Sequence, residues 1–267
     1  MSQFLCLVTS DAALVRCELD RVRERFSPDG GQVIGVGGWQ DNQVVSRSYG
    51  VGVPRDDAWQ APDSEMVVLS SRKLEVGEGV EDSSQPFRFR RWLFSAVGPL
   101  ERGAAIRDRL REELPEFLQN AVPSAAWEAA AFARFLGELR NLGRMEDASL
   151  DAVTAGACLS AAAKAIEQLS AAVGVTARPS FSLLASNGRV AVATARGGAA
   201  VSYTLLEGRA ECARHELTAD ARDSQPIVKD HLRRRSVVIT SGEANGWLKL
   251  NDGATLAVDR LLNVTLR

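Results

Sequence analysis

Past Pro179 the chain becomes a succession of short apolar runs separated by turn residues, and no other feature restricts its fold as much. FSLLAS, RVAVATA, AVSYTLL, SVVITS, WLKL, TLAVD and NVTLR follow one another, each of strand length. Asn187-Gly188 and Asn251-Asp252-Gly253 lie between such runs. Asn-Gly and Asp-Gly pairs supply the positive φ angles of tight turns, so both sites predict hairpins.

The remainder of the chain sets the class. Gln3 to Val8 reads as a buried strand, and Asp11 to Arg25 as an amphipathic helix with Leu14, Cys17 and Val22 on its apolar side. QVIGVGGW and VVSRSY flank Asp41-Asn42, which suits a hairpin turn, and MVVLSSR and RRWLFSAV read as two further buried strands. Between these last two lies EVGEGVEDSSQP, an acidic, glycine-bearing loop able to cover a site. Helical periodicity follows in AAIRDRLREEL, with Ile106, Leu110 and Leu114 on one stripe, and in Trp127 to Leu142, with Ala131, Phe135 and Leu139. The stretch from Leu150 to Val173 is alanine-rich, with Val153, Ile166 and Leu169 on its apolar side, and its small residues favour close packing on a helix or a sheet. Strands, then helices, then strands, without regular βαβα alternation, predict an α+β architecture. No long polar linker divides the chain, so residues 1–267 are expected to form a single domain.

Composition narrows the function classes. The chain is 45% hydrophobic and 25% charged with a net charge of -2, which gives no electrostatic reason to expect nucleic acid or an acidic membrane as partner. The clusters Arg88/Arg90/Arg91 and Arg233 to Arg235 flank strand-like runs and read as solvated strand ends. Cys6, Cys17, Cys158 and Cys212 are scattered without a CxxC pair, and His215 and His231 are the only histidines, so the spacing argues against a zinc site. No metal or other cofactor is expected. The apolar start lacks a charged n-region, and no run approaches the ~20 apolar residues of a membrane span, so a cytoplasmic protein with reduced thiols is expected.

Several segments together resemble a known family. MSQFLCLV, QPFRFRRWLFSAVGPL, the helix AAIRDRLREEL and the ending VVITSGEANGWLKLNDGATLAVDRLLNVTLR are similar to class II glutamine amidotransferases, and most similar to the small stand-alone type related to the amidohydrolase of ergothioneine biosynthesis. The resemblance spans essentially the whole chain. It implies the N-terminal-nucleophile fold, a four-layer αββα sandwich. It also implies a mechanism in which the thiolate of a mature N-terminal cysteine, activated by its own α-amine, attacks the γ-amide of glutamine.

The matching positions only partly carry that chemistry. Ser2 stands where the family has its cysteine; a small second residue favours removal of Met1, but a hydroxyl is a far weaker nucleophile than a thiol near neutral pH. FSAVGPL matches the oxyanion segment, with Gly98 retained as a backbone donor and Val97 in place of the asparagine. Losing one such donor costs about 2.7 to 4 kcal/mol of transition-state stabilisation. LSSRKLE supplies Arg72 for the substrate carboxylate, with Ser70 and Glu75 at the neighbouring histidine and threonine positions. The aspartate that binds the glutamine α-amine falls on Ala126 or Trp127, with Glu128 adjacent as a substitute.

Two readings follow. In the first, the scaffold has lost glutaminase activity and serves binding, regulation or structure, with an unknown protein partner or a small anionic ligand; a homo-oligomer joined through the alanine-rich helix is compatible with it. In the second, Ser2 is the nucleophile of an amidohydrolase acting on a γ-glutamyl or other amide. Cys6 shares a strand face with Ser2 but lies about 13 Å along the strand, and reads as a buried structural cysteine. Cys17, Cys158 and Cys212 read as core or helix-face residues. Of Trp39, Trp59, Trp92, Trp127 and Trp247, the expectation for Trp39 and Trp92 is core, and for Trp127 a plug in the substrate pocket.

Overall fold

A computed structural model of the chain describes residues 2–28, 31–51, 60–73, 79–80, 84–122, 124–221 and 225–267. Met1, Trp59, Glu75 and residues 75–78 and 81–83 of the acidic loop lie outside the described residues. The strands are β1 (Gln3–Thr9), β2 (Val33–Gln40), β3 (Gln43–Tyr49), β4 (Met66–Arg72), β5 (Phe87–Phe89), β6 (Trp92–Val97) and β7 (Phe181–Ser186), followed by β8 (Val190–Arg196), β9 (Val201–Leu206), β10 (Ser236–Ser241), β11 (Leu248–Lys249), β12 (Thr255–Asp259) and β13 (Val264–Leu266). They form a seven-stranded sheet in the order β11-β9-β10-β1-β4-β2-β3 and a six-stranded sheet in the order β13-β12-β8-β7-β6-β5. The recorded pairings are antiparallel.

Side-chain alternation along β1 explains why the sheets stack. Phe4, Cys6 and Val8 point one way and meet Leu184, Ala193, Leu256 and Val258 of the second sheet, forming the inter-sheet core. Leu5 and Leu7 point the other way, toward Val15 and Leu19 of the helix α1 (Val15–Arg21). The outer face of the second sheet is covered by α2 (Gly103–Glu112), α4 (Trp127–Asn141) and α5 (Ala152–Ala172), with the short α3 (Glu116–Gln119) beside them. A last helix, α6 (Pro226–Arg233), precedes β10. The layers therefore run helix, sheet, sheet, helices, as the αββα expectation requires.

Local chemistry accounts for the junctions. Asp41 and Asn42 have φ of 50° and 62° and close a two-residue hairpin in which Gln40 pairs with Gln43. Asn187-Gly188 joins β7 to β8 as expected; Gly188 has φ 81°, and a Cβ there would come within 2.6 Å of the Trp39 ring. Asn251-Asp252-Gly253 departs from the hairpin expectation. β11 pairs with β9 in one sheet and β12 with β8 in the other, so this turn carries the chain between sheets.

α5 begins at Asp151, whose carboxylate accepts the Thr154 N–H at 2.8 Å. Its small-residue face is used internally: a Cβ on Gly156 would lie 3.2 Å from Thr255 and 3.7 Å from Ala257. Trp39 and Trp92 are core residues, and Trp92 donates its indole N–H to the Met145 carbonyl at 3.0 Å. The solvated reading of the second arginine cluster fails at Arg234, which is buried and paired at 2.5 Å with buried Glu18.

Candidate functional site

Because β1 runs antiparallel to β4 and β10, its first residues lie beside their last ones, and the end of β6 lies beside the start of β7. A cavity of about 1090 Å³ opens at these strand ends. Ser2, Arg72 and Gly98, the positions singled out by the resemblance, all line it, as do Val97, Trp127 and Glu128. Residues separated by up to 240 positions, Ser2 to Gly242, thus line one cavity, and the fold alone brings them together.

Each is held differently. β1 is anchored at its start by the Phe4 N–H, which donates to the Ser241 hydroxyl at 2.9 Å, and by the Thr240 hydroxyl, which donates to the Phe4 carbonyl at 3.1 Å. Arg72 ends β4 opposite Val33 and is only 6% exposed. Ser70, two residues before Arg72 on β4, hydrogen-bonds Ser95 on β6 and so ties the two sheets together beside the cavity. Gly98 leaves β6 with φ 139°; a Cβ would come within 2.3 Å of the Ser180 carbonyl oxygen and 2.7 Å of the Phe181 Cα. Only glycine lets the chain turn out against β7 there, so this position has a backbone requirement whatever its chemistry.

The far wall is the start of α4. Arg107 on α2 donates to the Ala125 carbonyl at 2.8 Å and pairs with Asp108 at 2.7 Å, clamping the segment that leads into Trp127. That ion pair holds the Asp108 carboxyl below the usual carboxylate range. Trp127 itself packs edge-on against Phe181 with ring centroids 5.9 Å apart. It forms part of the cavity wall and leaves the cavity open, so the plug expectation is corrected: Phe181 and the helical core hold the indole aside. Glu128, one residue on, reaches the cavity from the first turn of α4. Arg72, Lys73 and Arg107 against Glu128 make the lining net cationic.

Cys6 does not reach this wall. It is fully buried between the sheets, and burial pushes its thiol up to about 12, so it supplies no thiolate. Sequence reasoning missed a different grouping. The structure brings Cys17, Cys212, His215 and His231, scattered along the chain, to within 4.8 Å of one another through their ligand atoms. The one local signal was the Cys212-x-x-His215 spacing.

The fold is α+β and N-terminal-nucleophile-hydrolase-like, an architecture it shares with solved class II glutamine amidotransferase domain structures. Solved structures of similar fold include a glutamine aminotransferase class-II domain protein from Silicibacter pomeroyi, with TM-score 0.61 and 16% identity over 99% of this chain and 98% of that one. A predicted glutamine amidotransferase from Pseudomonas aeruginosa aligns at TM-score 0.55 and 13% identity over 100% and 96%. The glutamine phosphoribosylpyrophosphate amidotransferase of B. subtilis, in complex with ADP and GMP, aligns at 0.56 and 9% over 99% of this chain but 48% of its own. No protein-family model matches the chain, and no curated protein sequence matches it. Among the described residues no helix is long and apolar enough to cross a membrane.

Proposed function

We propose that the protein is a class II glutamine amidotransferase-like scaffold that binds a small anionic ligand in the strand-end cavity and has lost glutaminase chemistry. The observation that carries this reading is the lining itself: Arg72 and Gly98 face an open volume together with Ser2, Val97, Ala126 and Trp127, and the resemblance puts Ser2 at the thiol position, Val97 at the side-chain donor position, and Ala126 or Trp127 at the amine anchor. Arg72 offers a guanidinium fork suited to a carboxylate, held in place by burial. Glu128 supplies a carboxylate near the amine position. Val97 offers no hydrogen to a developing oxyanion, and a hydroxyl nucleophile makes that loss harder to offset.

Calorimetric titration of the wild type with glutamine and with γ-glutamyl compounds tests this, alongside an ammonia-release assay. Binding without ammonia release, weakened in Arg72→Ala, is the expected result. Absence of binding by every carboxylate tried would overturn it.

A second reading, a Ser-dependent amidohydrolase, is favoured by one observation: Ser2, Gly98 and Arg72 line the same cavity. Amine or ammonia release abolished by Ser2→Ala, with the mature N-terminus shown by mass spectrometry to be Ser2, would replace the first reading with this one.

A further inference from the structure

Away from the cavity, the outer face of the first sheet carries a grouping that the family resemblance does not involve. Cys17 lies on α1, Cys212 forms a two-residue bridge with Leu217, His215 sits in the tight turn inside that bridge, and His231 is on α6. His215 Nδ1 lies 3.5 Å from Cys17 Sγ, 3.6 Å from Cys212 Sγ and 3.3 Å from His231 Nε2. One ring nitrogen carries a single proton or a single lone pair, so hydrogen bonding cannot satisfy three such neighbours at once.

A cation at the centre removes the conflict. Tetrahedral zinc, with Zn–S of ~2.3 Å and Zn–N of ~2.0 to 2.1 Å, places its ligand atoms about 3.3 Å apart for N···N and about 3.6 Å apart for N···S. The three distances from His215 Nδ1 are 3.3, 3.5 and 3.6 Å, and all four ligand atoms lie within 4.8 Å of one another. The outer contacts also fit. His231 is fully buried, and its Nδ1–H donates to the Ile227 carbonyl at 2.8 Å, which leaves the Nε2 lone pair facing the cluster. Leu14, Leu217 and Ile227 surround the sulfurs with apolar side chains. None of the four residues lines the strand-end cavity.

We propose that Cys17, Cys212, His215 and His231 form a Cys₂His₂ zinc site. Four protein ligands complete a tetrahedron and leave no open position, so the site is structural. Binding converts two thiols to thiolates and releases two protons, and the charge of the two thiolates balances that of the ion. The site ties α1, the excursion between β9 and α6, and α6 itself to one point on the sheet.

The test is metal analysis of the full chain purified under reducing conditions, before and after zinc reconstitution, with cobalt exchanged for zinc. One zinc per chain is expected, and a cobalt form with intense visible d–d bands and thiolate-to-cobalt charge transfer. Removing even an outer-shell partner weakens metal binding about 10- to 100-fold, so His215→Ala, at an exposed ligand, should cost at least that. Cys17→Ser should abolish the charge-transfer contribution of one sulfur, whereas Cys158→Ala should leave stoichiometry and spectrum unchanged. Any of three results would overturn the site: a metal-free protein after reconstitution, weak octahedral cobalt bands, or zinc binding that His215→Ala leaves intact. A Cys17–Cys212 disulfide recovered in place of metal would do the same. Because His215 is exposed, its variant is expected to fold, and its circular dichroism spectrum checks that separately.

Discussion

The two helical layers of the sandwich are built on different principles. The second sheet is covered by α2, α4 and α5, of 10, 15 and 21 residues, and its core is a continuous apolar cluster with Trp92 and Phe94 packed on Phe132 and Phe135. The first sheet is covered by α1, of 7 residues, flanked by tight turns, and has a smaller apolar cluster. On that thin side sit the buried Glu18–Arg234 pair and the Cys17–His231 cluster. A short helix buries too little apolar surface to hold itself by packing alone, so polar and ligand contacts take over part of the task. Replacing side chains on the two sides should therefore have effects of different kind.

The largest losses are expected in the two cores, first on the thick side. Trp92 is fully enclosed, meets Phe135 edge-on at 5.0 Å and donates to Met145, so Trp92→Ala should destabilise the fold by about 3 to 5 kcal/mol. Urea denaturation at unchanged m-value would measure it, and a loss under about 1 kcal/mol would contradict the packing account.

On the thin side, Glu18 accepts from Arg21 at 2.8 Å and pairs with Arg234, both partners of that pair being enclosed. Glu18→Ala leaves the Arg234 charge buried without its carboxylate and should also cost about 3 to 5 kcal/mol. The contrast lies in the rescue. Changing both residues together, Glu18→Met with Arg234→Met, should recover most of the loss, because a buried ion pair is often no better than apolar groups of similar volume. No second substitution should rescue Trp92→Ala in the same way. If the double variant is as unstable as the single one, the pair does more than offset its own desolvation.

Much of this architecture was legible beforehand. Strand lengths, the Asp41-Asn42 turn and the three long helices follow from periodicity and turn chemistry acting over a few residues. The cavity was legible at Ser2, Arg72 and Gly98 only because a resemblance aligned segments distant in the chain. The Cys–His cluster was legible only in the Cys212-x-x-His215 spacing: Cys17 lies 195 residues before Cys212, and their adjacency arises because β10 lies between β9 and β1 in the sheet, which no local pattern encodes. Arg234 was misread for a related reason, since a run of arginines at a strand end looks solvated until the partner on another helix is known. The Asp252-Gly253 turn misled because turn chemistry specifies a reversal and not which sheet receives the next strand.

The cavity lies at the strand ends, between the two layers, and a smaller effect is expected there. A charge-assisted hydrogen bond contributes about 1.5 to 3 kcal/mol, so Arg72→Ala should weaken carboxylate binding by roughly 10- to 150-fold. The melting of α1 and α4 should be left largely in place. Calorimetry on the variant reads the first quantity. A melting loss equal to that of Trp92→Ala would instead make Arg72 a structural residue.

The smallest effect returns to the thick side, at a polar contact where packing dominates. The Asp151 carboxylate accepts the Thr154 N–H and its hydroxyl, each at 2.8 Å, and these bonds hold its carboxyl below the usual range. Asp151→Ala should cost about 1 kcal/mol, and Asp151→Asn less, since the amide oxygen still caps the helix. Because the folded value is depressed, the ionic part of the cap is fully present above the ordinary carboxylate pKa of about 3.9 and is lost as pH falls through the folded value. Wild type and Asp151→Asn should therefore differ in stability at pH 7 and converge once the pH has fallen through the depressed folded value of Asp151. A gap that instead widens in acid would show that the carboxylate does not stabilise the helix as an anion, and that α5 owes its start to the surrounding core.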